Sequence, residues 1–281
     1  MAHSTHDCAP TLTDSQVLEF CKYGHLMLEA VVPEETNARC RRWLDEHHAG
    51  DGPAELQELL GEEWFFEGVV RNPQGAGAMR SLLSAGYVEP TWLTYFKGIG
   101  PAEANQWHID GGSRFGPELD VLKWFYCPAD SPVESGPTEF VPGSHHIYNQ
   151  VRFMAHYGEI GGTWKAVAPA GSIYLTAYSL WHRRARATWD GVRYMVTSSA
   201  WRTKPPQRDW VREPDFGVKA ADYTSTAPRF GEQVRGAHDN ARMFLWLCGR
   251  AEEFQPAAGP SWPQSTPGNR ARYGAPGDRT T

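Results

Sequence analysis

The sequence predicts a mainly β protein with flanking helices, a double-sheet jelly roll, and two features carry that expectation. From about residue 90 onward, runs rich in β-branched and aromatic residues, TWLTYFKG, VLKWFYC, TEFVPGS, SIYLTAYSLWH and VRYMVTSSAW, are bounded by Gly and Pro. Ahead of them residues 12–60 read as helical, so helices gather on the N-terminal side of short, irregularly spaced strands. The 28 Gly and 21 Pro supply the turns such an architecture needs, and 41% hydrophobic against 21% charged residues is a globular balance.

Each helix has its own start signal. TLTDSQVLEFCKYG offers Thr13 as a cap with Gln16 three residues on, and VVPEETNARCRRWLDEHH places Pro33 and two acids in a first turn. PAELQELLGEE predicts a third helical piece and AGAMRSLLSAG a fourth. Beyond about residue 205 regularity fades until RMFLWLCGRAEEF (242–254), which reads as a last helix. The final stretch, 255–281, is too rich in Pro, Gly and polar residues to bury a core and reads as a flexible tail. The expected organisation is one domain over 1–254, with a helical buttress at about 12–85, a jelly-roll core at about 88–205 and a helical segment to 254.

Charge and composition exclude several roles. A net charge of −6 and a pI near 6.0 leave no basic footprint for nucleic acid. MAHSTHDCAP has no cationic-then-apolar leader, and no run approaches the roughly 20 apolar residues of a membrane span, so a cytoplasmic protein without a membrane role is expected. Cys8, Cys21, Cys40, Cys127 and Cys248 are odd in number and scattered, which argues against a disulfide framework or a thiolate zinc site. Nothing in the sequence specifies an oligomeric state.

The chemistry is expected around QWHIDGG. His108 and Asp110 alone are weak evidence, because 11 histidines in 281 residues produce a chance His-x-Asp in roughly half of such chains. Downstream, however, His182 ends the strand-like run GSIYLTAYSLWH, and Arg193 lies eleven residues later inside VRYMVTSSAW. With RRARATWDG as turn material, the two runs are expected to form a hairpin or neighbouring strands, with His182 and Arg193 facing one cavity. Two imidazoles and a carboxylate on one face of Fe(II) leave three positions open for a bidentate 2-oxoacid and O2. An inward Arg193 can hold the far carboxylate of that acid in a bidentate contact.

This ordered set, His108-x-Asp110, then SGPTEFVPGSH (135–145), then His182 and Arg193, resembles the phytanoyl-CoA dioxygenase family of Fe(II)- and 2-oxoglutarate-dependent oxygenases over roughly residues 15–205. The resemblance implies a double-stranded β-helix, the cupin-like jelly roll, with iron held by His108, Asp110 and His182 and 2-oxoglutarate anchored by Arg193. It also implies that Trp124, Asn105 and Thr91 line the cosubstrate site. Where the family often has Ser two residues after the distal histidine, this chain has Arg184, which implies a more cationic pocket. Asp110 stands where a halogenating branch has Gly or Ala, which favours hydroxylation or a related oxidation over halogenation.

Other polar residues are weighed against plainer roles. His145 and His146, following PGS, read as structural, and Cys127 as strand packing. Arg183 and Arg186 read as solvated loop charge, whereas Arg184 and Arg114 are the candidate substrate-binding cations. The expected function is hydroxylation or another oxidation of an unactivated C–H bond in a small metabolite or natural-product intermediate, with release of succinate and CO2. A zinc-dependent hydrolase and a non-catalytic jelly-roll binding module are the rivals; the first leaves Arg193 without a task.

Overall fold

A computed structural model describes residues 5–48, 50–110, 117–147, 153–154, 156–214, 216 and 230–253, the side chains of 230–238 excepted. The chain runs α1 (Asp14–Tyr23), β1 (His25–Leu28), α2 (Glu34–His47), β2 (Gly52–Glu55), α3 (Glu63–Phe65), α4 (Pro73–Leu83), β3 (Thr94–Ile99), β4 (Val121–Cys127), β5 (Thr138–Phe140), β6 (Trp164–Lys165), β7 (Ser172–Ala177), β8 (His182–Arg184), β9 (Val192–Trp201) and α5 (Phe230–Leu247). Two antiparallel sheets face each other. The larger has the order β1-β7-β4-β9-β3-β2, the smaller β6-β5-β8. Bridges from His108 to His182 and to Phe153 extend the smaller sheet by two further segments.

The period-2 alternation of strands sorts side chains between two cores. On the large sheet Leu122, Trp124 and Tyr126 of β4, Ile173 and Leu175 of β7, and Val196 and Ala200 of β9 pack with α1, α2, α4 and α5. The opposite faces of the same strands give Phe125, Cys127, Tyr174 and Met195, which meet Phe140 and Leu180 between the sheets. Cys127 is therefore strand packing, as expected. A third cluster, Trp107, Ile109 and Met154, lies on the far side of the segment that carries His108.

Local signals explain most helix limits. Thr13 and Gln16 form a capping box on α1, and Gly24 ends the helix at φ 77°, a left-handed value that favours glycine. Pro33 caps α2 ahead of Glu34 and Glu35. Asn72 accepts from the N–H groups of Gln74 and Gly75 at the start of α4, so that helix begins three residues before the expected AGAMRSLLSAG.

The structure corrects the N-terminal reading in two places. His25–Leu28 and Gly52–Glu55 are strands, and the piece expected to be helical from Pro53 reduces to the short 3-10 turn Gln57–Gly61. Both segments are recruited by the free edges of the large sheet, β1 by β7 and β2 by β3. Pro53 suits an edge strand, where a missing donor costs nothing. The last described helix spans 230–247, not 242–254, and the 3-10 turn Ala251–Glu253 follows it among the described residues. The expected tail, 255–281, lies outside the described residues. No helix among the described residues is long and apolar enough to cross a membrane.

The C-terminal segment is anchored to α1 by one fully buried carboxylate. Asp14 accepts from Arg208 Nε (2.9 Å), Trp210 Nε1 (2.7 Å) and the Glu213 N–H (2.7 Å). Burial would raise its pKa, but hydrogen bonds from Arg208, Glu213 and Trp210 outweigh burial and hold it below its ordinary 3.8. A carboxyl depressed on folding stabilises the protein above that ordinary value, and the contribution is lost as pH falls through the folded value. Asp14→Ala, which strands Arg208, is expected to cost about 3 kcal/mol in urea denaturation at pH 7. The deficit relative to wild type should shrink in acid below pH 3.8; a pH-independent deficit would contradict this account.

Candidate active site

Between the sheets opens a cavity of about 320 Å³ whose lining follows the strand pleat. Phe96 and Gly98 come from β3, Lys123 and Phe125 from β4, His182 and Arg184 from β8, and Arg193, Met195 and Thr197 from β9. Asn105, His108 and Asp110 enter from the segment between β3 and β4.

The three expected ligands meet there. His108 and His182 exchange both backbone hydrogen bonds at 2.9 Å, a reciprocal antiparallel pair that sends their side chains to the same face. Their ring centroids lie 4.3 Å apart. Asp110, two residues on, returns to that face, with Oδ2 3.6 Å from His182 Nε2. Candidate ligand atoms of all three lie within 4.8 Å of one another.

The protonation states suit a divalent cation. His108 Nδ1 donates to the Gln106 carbonyl and His182 Nδ1 to the Leu180 carbonyl, each at 2.9 Å. A carbonyl only accepts, so both protons sit on Nδ1 and both Nε2 lone pairs point into the cavity. Burial lowers the pKa of His182 to about 4, which keeps its ring neutral. Burial would push the Asp110 carboxyl up, but the neighbouring His182, Lys123 and His108 outweigh it and favour the carboxylate. Asp110 Oδ2 is buried without a hydrogen-bond partner among the described residues.

Arg193 enters the cavity from the opposite sheet. Expected on a hairpin or on neighbouring strands with His182, it instead stands on β9 of the large sheet, while β7 ends at Ala177 and His182 opens β8 of the small one. The two residues thus share a cavity by facing each other across the sandwich. Arg193 is buried and donates from Nη2 to Thr138 Oγ1 (3.1 Å), which is itself 2.8 Å from the Tyr174 hydroxyl. Its Nε is buried without a partner, and Asp110 is the one carboxylate lining the cavity among the described residues.

Asn105 and Arg184 line the cavity, but two residues expected at the cosubstrate do not. Trp124 is on the outward face of β4, fully buried against the helices, because the pleat gives the cavity its neighbours Lys123 and Phe125. Thr91 is exposed ahead of β3, between the Val88 bridge to Trp201 and the first paired residue of that strand, Thr94. Arg114 lies outside the described residues. Lys123, which sequence reasoning missed, sets Nζ 3.5 Å from Asp110 Oδ2. Its signal was the lone charge within the otherwise apolar VLKWFYC.

Arg183 is not the solvated charge expected. On β8 it points away from the cavity, is buried, and bonds Glu139 Oε2 (2.8 Å) and Glu159 Oε2 (2.9 Å) while lying 4.4 Å over the Trp107 ring. Arg186 is exposed, as expected, and pairs with Glu103 at 3.4 Å. His145 and His146 are structural: both Nε2 atoms bond the Cys21 carbonyl, at 3.0 and 2.8 Å. Arg183→Met is expected to cost about 3 kcal/mol in chemical denaturation, because it leaves Glu139 buried without its cation. The double variant Glu139→Met/Arg183→Met should recover most of that loss; equal losses in single and double variants would show that the pair is not the cause.

Fold and site together define a jelly roll with two histidines and one carboxylate converging at its mouth. The chain belongs to the phytanoyl-CoA dioxygenase family (PhyH), whose sequence pattern matches residues 20–193. No curated protein matches the sequence. Among solved structures, the epimerase SnoN in complex with Fe3+, alpha ketoglutarate and nogalamycin RO is similar at 16% identity and TM-score 0.55, covering 76% of this chain and 91% of its own. The alpha ketoglutarate dependent carbocyclase SnoK from nogalamycin biosynthesis gives 19% and 0.54, covering 72% and 90%. HygX from Streptomyces hygroscopicus with nickel and 2-oxoglutarate bound gives 15% and 0.56, also covering 72% and 90%. At these identities the likeness establishes the double-stranded β-helix fold.

Proposed function

We propose that this chain is an Fe(II)- and 2-oxoglutarate-dependent dioxygenase that hydroxylates, or otherwise oxidises, an unactivated C–H bond of a small metabolite or natural-product intermediate. The observation that carries the reading is the pairing, in one cavity, of the His108, Asp110 and His182 cluster with the buried Arg193. Family membership and the iron- and 2-oxoacid-bound structures of similar fold support it. A hydrolytic zinc site would use the same three ligands but leave Arg193 without purpose.

In this reading His108 Nε2, His182 Nε2 and an Asp110 oxygen hold the metal. With 2-oxoglutarate and O2 it would supply the oxidising power for C–H cleavage, with succinate and CO2 released. The protein does the rest. Arg193, braced by Thr138 and Tyr174, grips the distal carboxylate of the cosubstrate, and its unpartnered Nε is available for a bidentate contact. Lys123 holds one Asp110 oxygen in place. Phe96, Phe125 and Met195 wall the cavity with apolar surface that keeps water from the reacting carbon.

Anaerobic titration of the protein with Fe(II) and then 2-oxoglutarate tests the reading. Wild type is expected to develop the visible charge-transfer band of the chelate, and Arg193→Ala to require at least about tenfold more 2-oxoglutarate, from the loss of a charge-assisted contact. His108→Ala and Asp110→Ala should lose the band and succinate release together. Iron bound without any band in wild type would overturn the proposal.

A further inference from the structure

We infer that the substrate is a small organic anion, whose carboxylate or phosphate oxygen is held by Arg184 while its apolar part lies against the metal cluster. The inference rests on the oxygenase reading above and adds the class of molecule oxidised.

The argument is one of charge. The cavity is lined by Lys97, Lys123, Arg183, Arg184 and Arg193, the charged ends of Lys97 and Arg183 turned away from it, against the single acid Asp110 among the described residues. Most of these cations are engaged. Lys97 pairs with Asp45 at 2.9 Å, Lys123 with Asp110, and Arg183 with Glu139 and Glu159. Arg193 is assigned to the cosubstrate.

Among the described residues Arg184 has no such partner. It donates from Nη2 to the Glu103 backbone carbonyl at 3.1 Å, whereas the Glu103 carboxylate is turned to Arg186. Its Nε is buried with no hydrogen-bond partner among the described residues. A guanidinium stays charged at every accessible pH, so a half-buried one with an unsatisfied N–H calls for an anion.

Position then decides which anion. As the second inward residue of β8, Arg184 starts beside the ligand His182 and reaches across the cavity, its Nη1 lying over Gly98 of β3. A Cβ at Gly98 would already touch it at 3.4 Å, so the glycine leaves the guanidinium its room. Loading the site does not satisfy it. A divalent metal and a dianionic 2-oxoacid cancel each other, and Lys123 cancels Asp110, so Arg184 and Arg193 remain as net positive charge. The walls beside them, Phe96, Phe125 and Met195, are apolar. A cationic contact at one end and an apolar wall at the other fit an organic acid or a phosphate ester, and disfavour a cation or a sugar-like neutral molecule.

Calorimetric titration of the full chain, loaded anaerobically with Fe(II) and 2-oxoglutarate, tests this with benzoate, phenyl phosphate and neutral benzamide as probes. At least one anion is expected to bind saturably, at least tenfold tighter than benzamide, and to weaken at least tenfold in Arg184→Gln. The variant should keep its 2-oxoglutarate affinity within about twofold. Preference between benzoate and phenyl phosphate identifies the anionic group. Benzamide binding as well as either anion, or no anion binding to a protein that forms the chelate, overturns the inference and leaves the oxygenase reading standing. A loss of 2-oxoglutarate affinity in Arg184→Gln matching that of Arg193→Ala would assign Arg184 to the cosubstrate instead. Failure of wild type to form the chelate would sink both.

Discussion

Two backbone hydrogen bonds, exchanged between His108 and His182, hold the site together. A hydrogen-bonded antiparallel pair fixes the separation of its two residues and sends both side chains to one face. Here that geometry sets two imidazoles side by side, although 74 positions separate them in the chain. Everything else follows the same pleat: Asp110 returns to the face two residues after His108, and Arg184 two residues after His182. A slip of one residue in this register would turn all four outward and bring Trp107 and Arg183 into the cavity.

The reverse face of the same pair is therefore part of the design. Arg183, its ion pairs to Glu139 and Glu159, and the Trp107 ring beneath it form a polar-aromatic clamp behind the histidines. Such a buried pair adds little to stability compared with an apolar pair of similar size, but it is unforgiving of misalignment. It serves the register more than the energy. Lys123 plays a comparable part for Asp110 on the cavity side.

The sequence made the long central strands legible and the short or edge strands much less so. VLKWFYC and VRYMVTSSAW match β4 and β9 because their β-branched and aromatic content is high and their ends are marked by polar or turn residues. HLML and GPAE carry no such signal; they are strands because a sheet edge hundreds of atoms away needs a partner, and tertiary pairing overrides local preference. The same limit explains why His182 was read as the end of one strand when it begins another. The convergence of His108, Asp110, His182 and Arg193 on one cavity was legible as a pattern of types and spacings, whereas Trp124 failed on parity. Three large apolar residues, Leu122, Trp124 and Tyr126, mark one face of β4, and Lys123 between them marks the other.

The long reach of the N-terminal elements has a consequence for how the chain is made. β1 pairs with β7 some 150 residues later, and Asp14 at the head of α1 waits for Arg208, 194 residues away. During synthesis the first helices leave the ribosome with their apolar faces bare, and the β1 edge of the large sheet cannot pair until β7 has emerged. Contacts of such sequence separation make folding slow, and the interval exposes surfaces that invite aggregation. Yield in a foreign host would accordingly depend on translation speed and chaperone supply more than on the stability of the finished molecule.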